Sequence, residues 1–186
     1  MSCDHIGSVS LAYHDVVLTQ VNENRDEGKE FLMDKSQQFV SLLDKVRKIV
    51  AGSDPREQKL QDICRLLAEK VIYYNWVGFY LVDLEGEQEL VLGPFVGEPT
   101  EHDLIAFGDG ICGQVADAQE MFVIQDVSQE NNYLSCSPDV QSEIVVPLFN
   151  PEDELIGELD IDSHTKSPFT DEDRLFLDRV GELVGG

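Results

Sequence analysis

Two stretches of helical apolar spacing come first in this chain, and runs of strand-like alternation follow them through short turns. Few folds accept that order. Phe39, Leu42, Leu43, Val46, Ile49 and Val50 recur on one face at the helical period, and Gly52 stops the pattern. Asp54 as cap, Pro55 in the first turn and Glu57 as the reciprocal acid predict a second helix. Its apolar face carries Leu60, Ile63, Cys64, Leu67, Ala68 and Val71, so Cys64 reads as a core residue.

The period then changes. NWVGFYLVDL (75–84) is aromatic and β-branched, as a strand requires, and residues 89–94 make its hairpin partner. Short strands are expected at 104–107 and 121–125, with a short helix over 111–118 between them. Residues 127–140 read as a loop rich in Asn, Ser and Pro. Strands at 142–149 and 154–163 are joined by the turn Asn150-Pro151-Glu152-Asp153. Thr170 caps a last helix with Asp171, Glu172 and Asp173 in its first turn. Strands that follow strands predict an antiparallel sheet of five or six strands. The fold class is therefore α+β, with the N- and C-terminal helices on one face of the sheet. Residues 35–186 form that domain. Residues 1–34 are an N-terminal extension, partly a solvated linker (NENRDEGKE), in which Val16, Val17 and Leu18 have the composition of a short strand.

The formal charge of -24 arises from 37 Asp and Glu against 13 Lys and Arg. Such a surface repels nucleic acid and anionic membranes, so neither is expected as a partner. It fits a high-salt host or a merely acidic cytosolic protein. The first residues have neither a basic start nor an apolar run, and 71–82 is too short to span a bilayer, so the expected location is the cytoplasm. Four cysteines are too few for a secreted disulfide scaffold. There is no CxxC and no HExxH, and the histidines are scattered; Cys3 and His5 read as part of an exposed tail. Neither a metal nor a cofactor is expected.

Strand parity gathers a candidate site. Residues two apart share a face. The aliphatic faces (Val77, Phe79, Leu81; Ile144, Val146, Leu148; Leu159, Ile161) suit the helices. The opposite face then collects Trp76, Tyr80, Glu143, Asp160 and Asp162, provided that the three strands are neighbours. A half-exposed sheet on an acidic protein has a polar face anyway, but a Trp and a Tyr there need a cover. The available cover is the stretch from Gly108 to Pro147, which carries Cys112 beside glycines and Cys136 in the Ser- and Asn-rich loop. An aromatic wall, a carboxylate floor and thiols at the lid suit a small cationic or zwitterionic ligand with a reducible centre. Cys112 stands where the short helix begins, which favours its thiolate, whereas nearby carboxylates favour the thiol. Desolvated together, those acids would hold protons and donate them. Residue types alone leave a catalytic thiol pair and two unreactive cysteines both open.

Six blocks narrow that choice: NWVGFY, LVLGPFVG, GDGICG, SEIVVPLF, IGELDIDS and FTDEDR, in this order. Together they resemble the free methionine-(R)-sulfoxide reductases, single GAF-domain enzymes, over about 35–184. The resemblance implies a GAF-like fold with a loop-covered pocket, reduction of free methionine sulfoxide and a thioredoxin-like reductant. It leaves a homodimer open. It implies Trp76, Tyr80, Glu143, Asp160 and Asp162 as substrate-binding residues and Glu143 also as catalytic. Cys136 matches the nucleophile and Cys112 the second family cysteine. The chain departs from many members at His102, where they carry a third, resolving cysteine. It is thus similar to a two-cysteine subgroup in which Cys112, or an external thiol, resets Cys136. The alternative expectation is a non-enzymatic GAF sensor of a small molecule or of oxidants; a structural interaction module using the acidic face has nothing specific in its favour.

Overall fold

A pair of helices, a six-stranded sheet and a closing helix follow one another in a computed structural model that describes residues 34–84, 86, 88–134 and 137–186. The candidate strand at Val16–Leu18, and Cys3, His5 and Cys136, lie outside the described residues. Helix α1 spans Lys35–Val50 and α2 spans Arg56–Lys70. Strands β1 (Trp76–Val82), β2 (Glu89–Val96) and β3 (Leu104–Ala106) precede α3 (Gly110–Ala118). Then come β4 (Phe122–Ile124), a single 3-10 turn at Val127–Gln129, β5 (Ser142–Phe149), β6 (Leu155–Ser163) and α4 (Asp171–Gly185).

The sheet order is β3-β2-β1-β6-β5-β4, and every pairing is antiparallel. This is the expected α+β architecture. The hairpins β1–β2 and β5–β6 join through β1 and β6 at the centre, so the two most separated parts of the domain meet there. Phe39, Leu42 and Val46 of α1, Leu60, Ile63, Cys64 and Leu67 of α2, and Phe176, Leu177 and Val180 of α4 cover one face. They meet Val77, Phe79, Ile144, Val146, Leu148, Leu159 and Ile161, the aliphatic parity. Each such side chain taken out of water contributes about 1.5–3 kcal/mol. Cys64 is a core residue: its thiol donates to the Pro94 carbonyl, and burial pushes it up to about 12.

One local expectation needs correction. Helix α2 starts at Arg56 with Pro55 in the cap position, and Asp54 makes no capping hydrogen bond there. A proline without an N–H can sit at the boundary, so the acid before it is not required. The sheet's second face is covered by α3 as well as by loops: Ile111, Cys112, Val115 and Ala116 pack on Trp76, Tyr80, Leu90 and Val145.

The start of α4 is tied down by one buried acid. Asp173 accepts from Tyr73 Oη at 2.7 Å, Tyr74 Oη at 2.9 Å and the Thr170 backbone N–H at 2.6 Å, and it pairs with Lys35. Lys35, Tyr73 and Thr170 hold its carboxyl below the usual aspartate range against the opposing effect of burial, while burial and then Asp173 push both tyrosines up. Asp173→Ala is expected to cost about 3 kcal/mol or more in urea unfolding, because it removes the partner of the Lys35 ammonium and of two phenols, one buried and one half-buried. The depressed carboxyl gives the sign with pH. The stabilisation is complete above the unfolded aspartate value and declines as pH falls through the folded one, so the variant's deficit should shrink in acid.

Candidate functional site

The central register sets the site. Trp76 lies opposite Asp162, Gly78 opposite Asp160 and Tyr80 opposite Glu158 on one side of β6. Glu143 lies opposite Asp162, Val145 opposite Asp160 and Pro147 opposite Glu158 on the other. Trp76, Tyr80, Glu143, Asp160 and Asp162 therefore share one face, as parity requires. All five are buried. Glu158, which parity puts on the face of Asp160 and Asp162 but which was not counted in the candidate site, joins them and is 1% exposed. The signal was legible, since a glutamate two residues before an assigned aspartate on a strand must join it.

Trp76 is held on three sides. Its ring stacks on Phe95 with centroids 5.4 Å apart and on Tyr80 at 6.3 Å, and its Nε1 donates to the Glu98 carbonyl at 3.0 Å. It lies over two residues that must lack a side chain. A Cβ on Gly78 would stand 2.1 Å from the indole and one on Gly97, at φ +145°, 2.3 Å from it. Gly78→Ala should therefore lift the ring out of place. The expected result is a KM raised about tenfold with kcat changed much less, since the wall and not the chemistry is disturbed; equal losses in both would assign the ring another role. Tyr80 Oη donates to the His102 carbonyl at 3.0 Å and so fixes the loop before β3.

Cys112 enters from α3 on the opposite side. Its Sγ donates to Glu143 Oε1 at 3.8 Å. It is 5% exposed, and burial together with Asp160, Glu158 and Glu143 pushes its thiol well up. The contest between helix N-terminus and carboxylates thus goes to the carboxylates and to desolvation. The acids respond in the same sense. Burial, then the charges of Asp160, Asp162 and Glu158, hold Glu143 well above the usual carboxylate range. Burial does the same for Glu158 and raises Asp160 to about 7. The Cys112 thiol interacts with both of these, yet neither carboxylate has a hydrogen bond of ordinary geometry among the described residues. Four carboxyls crowded in a dry site cannot all ionise, so the group carries protons near neutral pH.

A cavity with room for about one water molecule reaches this cluster. Cys112, Glu143, His102, Ile105 and Leu134 are among its lining residues. That is far smaller than an amino acid, so entry requires movement of the cover. The cover is latched by Asn132, whose Nδ2 donates to the Gly108 carbonyl at 2.7 Å and whose Oδ1 accepts from the Gly110 N–H at 3.1 Å. A wider groove of about 560 Å³ runs along α2 and β2 past Leu60 and Phe95, but it contains none of the buried acids.

Residues 55–186 match the GAF domain family. The free methionine-R-sulfoxide reductase of Escherichia coli is 35% identical over 141 residues, 76% of this chain and 82% of that one. The chain belongs to the free methionine-R-sulfoxide reductase family. A solved structure of the free methionine-R-sulfoxide reductase of Neisseria meningitidis, in complex with its substrate, superposes with a TM-score of 0.77. It is 35% identical, over 82% of this chain and 89% of that one. GAF domain-containing protein A of Dictyostelium discoideum is 33% identical over 150 residues, 81% of this chain and 92% of its own. Membership of the reductase family makes this an oxidoreductase. Among the described residues, no helix is long and apolar enough to cross a membrane.

Proposed function

We propose that the protein reduces free methionine-(R)-sulfoxide to methionine with Cys136 as nucleophile. The observation that carries this reading is the buried group Glu143, Glu158, Asp160 and Asp162 beside Cys112, under an aromatic wall, in which burial favours the protonated form of Glu143 and Glu158. A sulfoxide oxygen must be protonated as it leaves sulfur, and a desolvated carboxylic acid is a suitable donor. The remaining carboxylates attract the ammonium of a free amino acid, and Trp76 provides a face for the S-methyl end. Cys136 sulfur attacks the sulfoxide sulfur. Glu143 or a neighbouring aspartic acid gives its proton to the oxygen. Methionine departs reduced by two electrons, and Cys136 is left as a sulfenic acid.

Resetting falls to Cys112. Its thiol condenses with the sulfenic acid, releasing water and forming a disulfide, and a thioredoxin-like dithiol returns the two electrons. Glu143, 3.8 Å away, is placed to take the thiol proton. The raised thiol of Cys112 supports this order of roles, since a buried protonated sulfur is a poor first nucleophile. The burial of the acids supports free substrate over peptide, because a carboxylate cluster reached only beneath a cover suits a free ammonium and not a continuous chain.

The test is consumption of racemic free methionine sulfoxide with thioredoxin, thioredoxin reductase and NADPH. Turnover should stop near half of the racemate. No consumption, with dithiothreitol also supplied, overturns the proposal.

A further inference from the structure

We infer that the buried cluster is also a binding site for one thiophilic divalent cation of the zinc class, held by Cys112 Sγ and by carboxylate oxygens of Glu143 and Asp160. The three ligand atoms lie within 4.8 Å of one another, and all three residues are buried. Zinc bonds of about 2.3 Å to sulfur and about 2.1 Å to oxygen place those atoms about 3.6 Å apart across a tetrahedral angle. The observed Sγ–Oε1 separation is 3.8 Å, so that edge is already formed.

A second observation points to a ligand independently of the three. Glu158 is 1% exposed and lies against Cys112, and neither of its oxygens has a hydrogen bond of ordinary geometry among the described residues. It is available as the fourth ligand or as an acceptor for a metal-bound water. A sulfur in the set selects against magnesium and calcium, which want six or more oxygens, and favours zinc, cadmium or cobalt. Charge fits as well: two positive charges offset all but one of the three negative charges of a thiolate and two carboxylates. The protons those groups carried pass to bulk water, so binding strengthens as pH rises. The sequence expectation of no metal rested on missing local motifs; here α3, β5 and β6 supply one ligand each, which no short spacing reveals. Where the reductase reading also holds, an ion in this place occupies the acids and Cys112 and is inhibitory.

The experiment titrates the reduced, metal-free full chain with cobalt(II) and then displaces it with zinc(II), with no activity readout. The expected result is a thiolate-to-cobalt charge-transfer band and tetrahedral d–d bands, saturating at one equivalent. Cys112→Ser should lose the charge-transfer band. Glu143→Gln and Asp160→Asn should each weaken zinc binding at least tenfold, and Cys3→Ser should change nothing. A wild-type chain without the thiolate band, or a Cys112→Ser chain that keeps it, overturns the site. Should Cys112→Ser fail the circular dichroism check for folding, the two carboxyl variants carry the test: unchanged zinc affinity in both overturns it equally. A wild-type chain that binds neither cobalt nor zinc can still turn over methionine sulfoxide, so the two proposals fail separately.

Discussion

Cys136→Ser should lose at least about a thousandfold in kcat with any reductant, because neither described thiol is suited to the first attack. Cys64 faces the helical core with its thiol at about 12, and Cys112 is buried among acids. Cys112→Ser should behave differently. A single enzyme equivalent of methionine should form in a rapid burst, after which thioredoxin fails to restart the enzyme while a small thiol such as dithiothreitol still does. Burst amplitude and steady-state rate, measured on both variants with both reductants, separate the roles. The reverse pattern, a burst in Cys136→Ser and none in Cys112→Ser, exchanges them. A wild-type burst followed by full thioredoxin turnover in Cys112→Ser would mean that the external dithiol resolves the sulfenic acid itself. His102 lines the same cavity as Cys112 and Glu143, so the position at which many relatives carry a third cysteine lies at the site but contributes no sulfur.

Asp160→Asn should make the protein more stable and less active. The carboxyl rises from the ordinary 3.8 to about 7 in the folded protein, because burial disfavours its charge. The folded state therefore binds the proton more tightly than the unfolded chain does. Its contribution is fully present below about pH 4 and is lost as pH climbs through about 7, a change of about 4 kcal/mol at most. An amide cannot ionise, so the variant should exceed the wild type at pH 8 by about 2–4 kcal/mol, or about 5–10 °C in Tm. The two should converge near pH 4. On the proposed function the same change removes a carboxylate that attracts the substrate ammonium, so KM should rise by about tenfold or more. A wild type whose stability is flat between pH 5 and 8, or a variant that is destabilised at pH 8, would mean that Asp160 keeps its charge in the folded state. The expected pattern is a stability–activity trade-off located in one carboxyl.

How far the chain could be read from its sequence follows from which interactions are local. Strand parity is a property of each segment. It placed Trp76, Tyr80, Glu143, Asp160 and Asp162 on one face because β1, β6 and β5 are adjacent and in register. That adjacency is a long-range fact, and it was an assumption until the pairing Trp76–Asp162–Glu143 supplied it. Glu158 was overlooked although its parity is the same; what marks it out is burial, which depends on the α3 cover and not on β6 alone. The ionisation of Cys112 is also non-local. A helix N-terminus and a cluster of acids pull in opposite directions, and only the distances to Glu143, Glu158 and Asp160 decide between them. Helix boundaries depend on weaker preferences, and α2 begins at Arg56 with Pro55, not Asp54, in the cap position.

Trp76 is the only tryptophan in the chain. It lies flat on the sheet between Phe95 and Tyr80, with its N–H on a backbone carbonyl. The intrinsic fluorescence of the whole molecule therefore originates at the wall of the candidate pocket. Whatever enters, moves the cover or changes the charge of the neighbouring acids alters that emission directly. The protein carries its own optical gauge of the site, and no label has to be attached to read it.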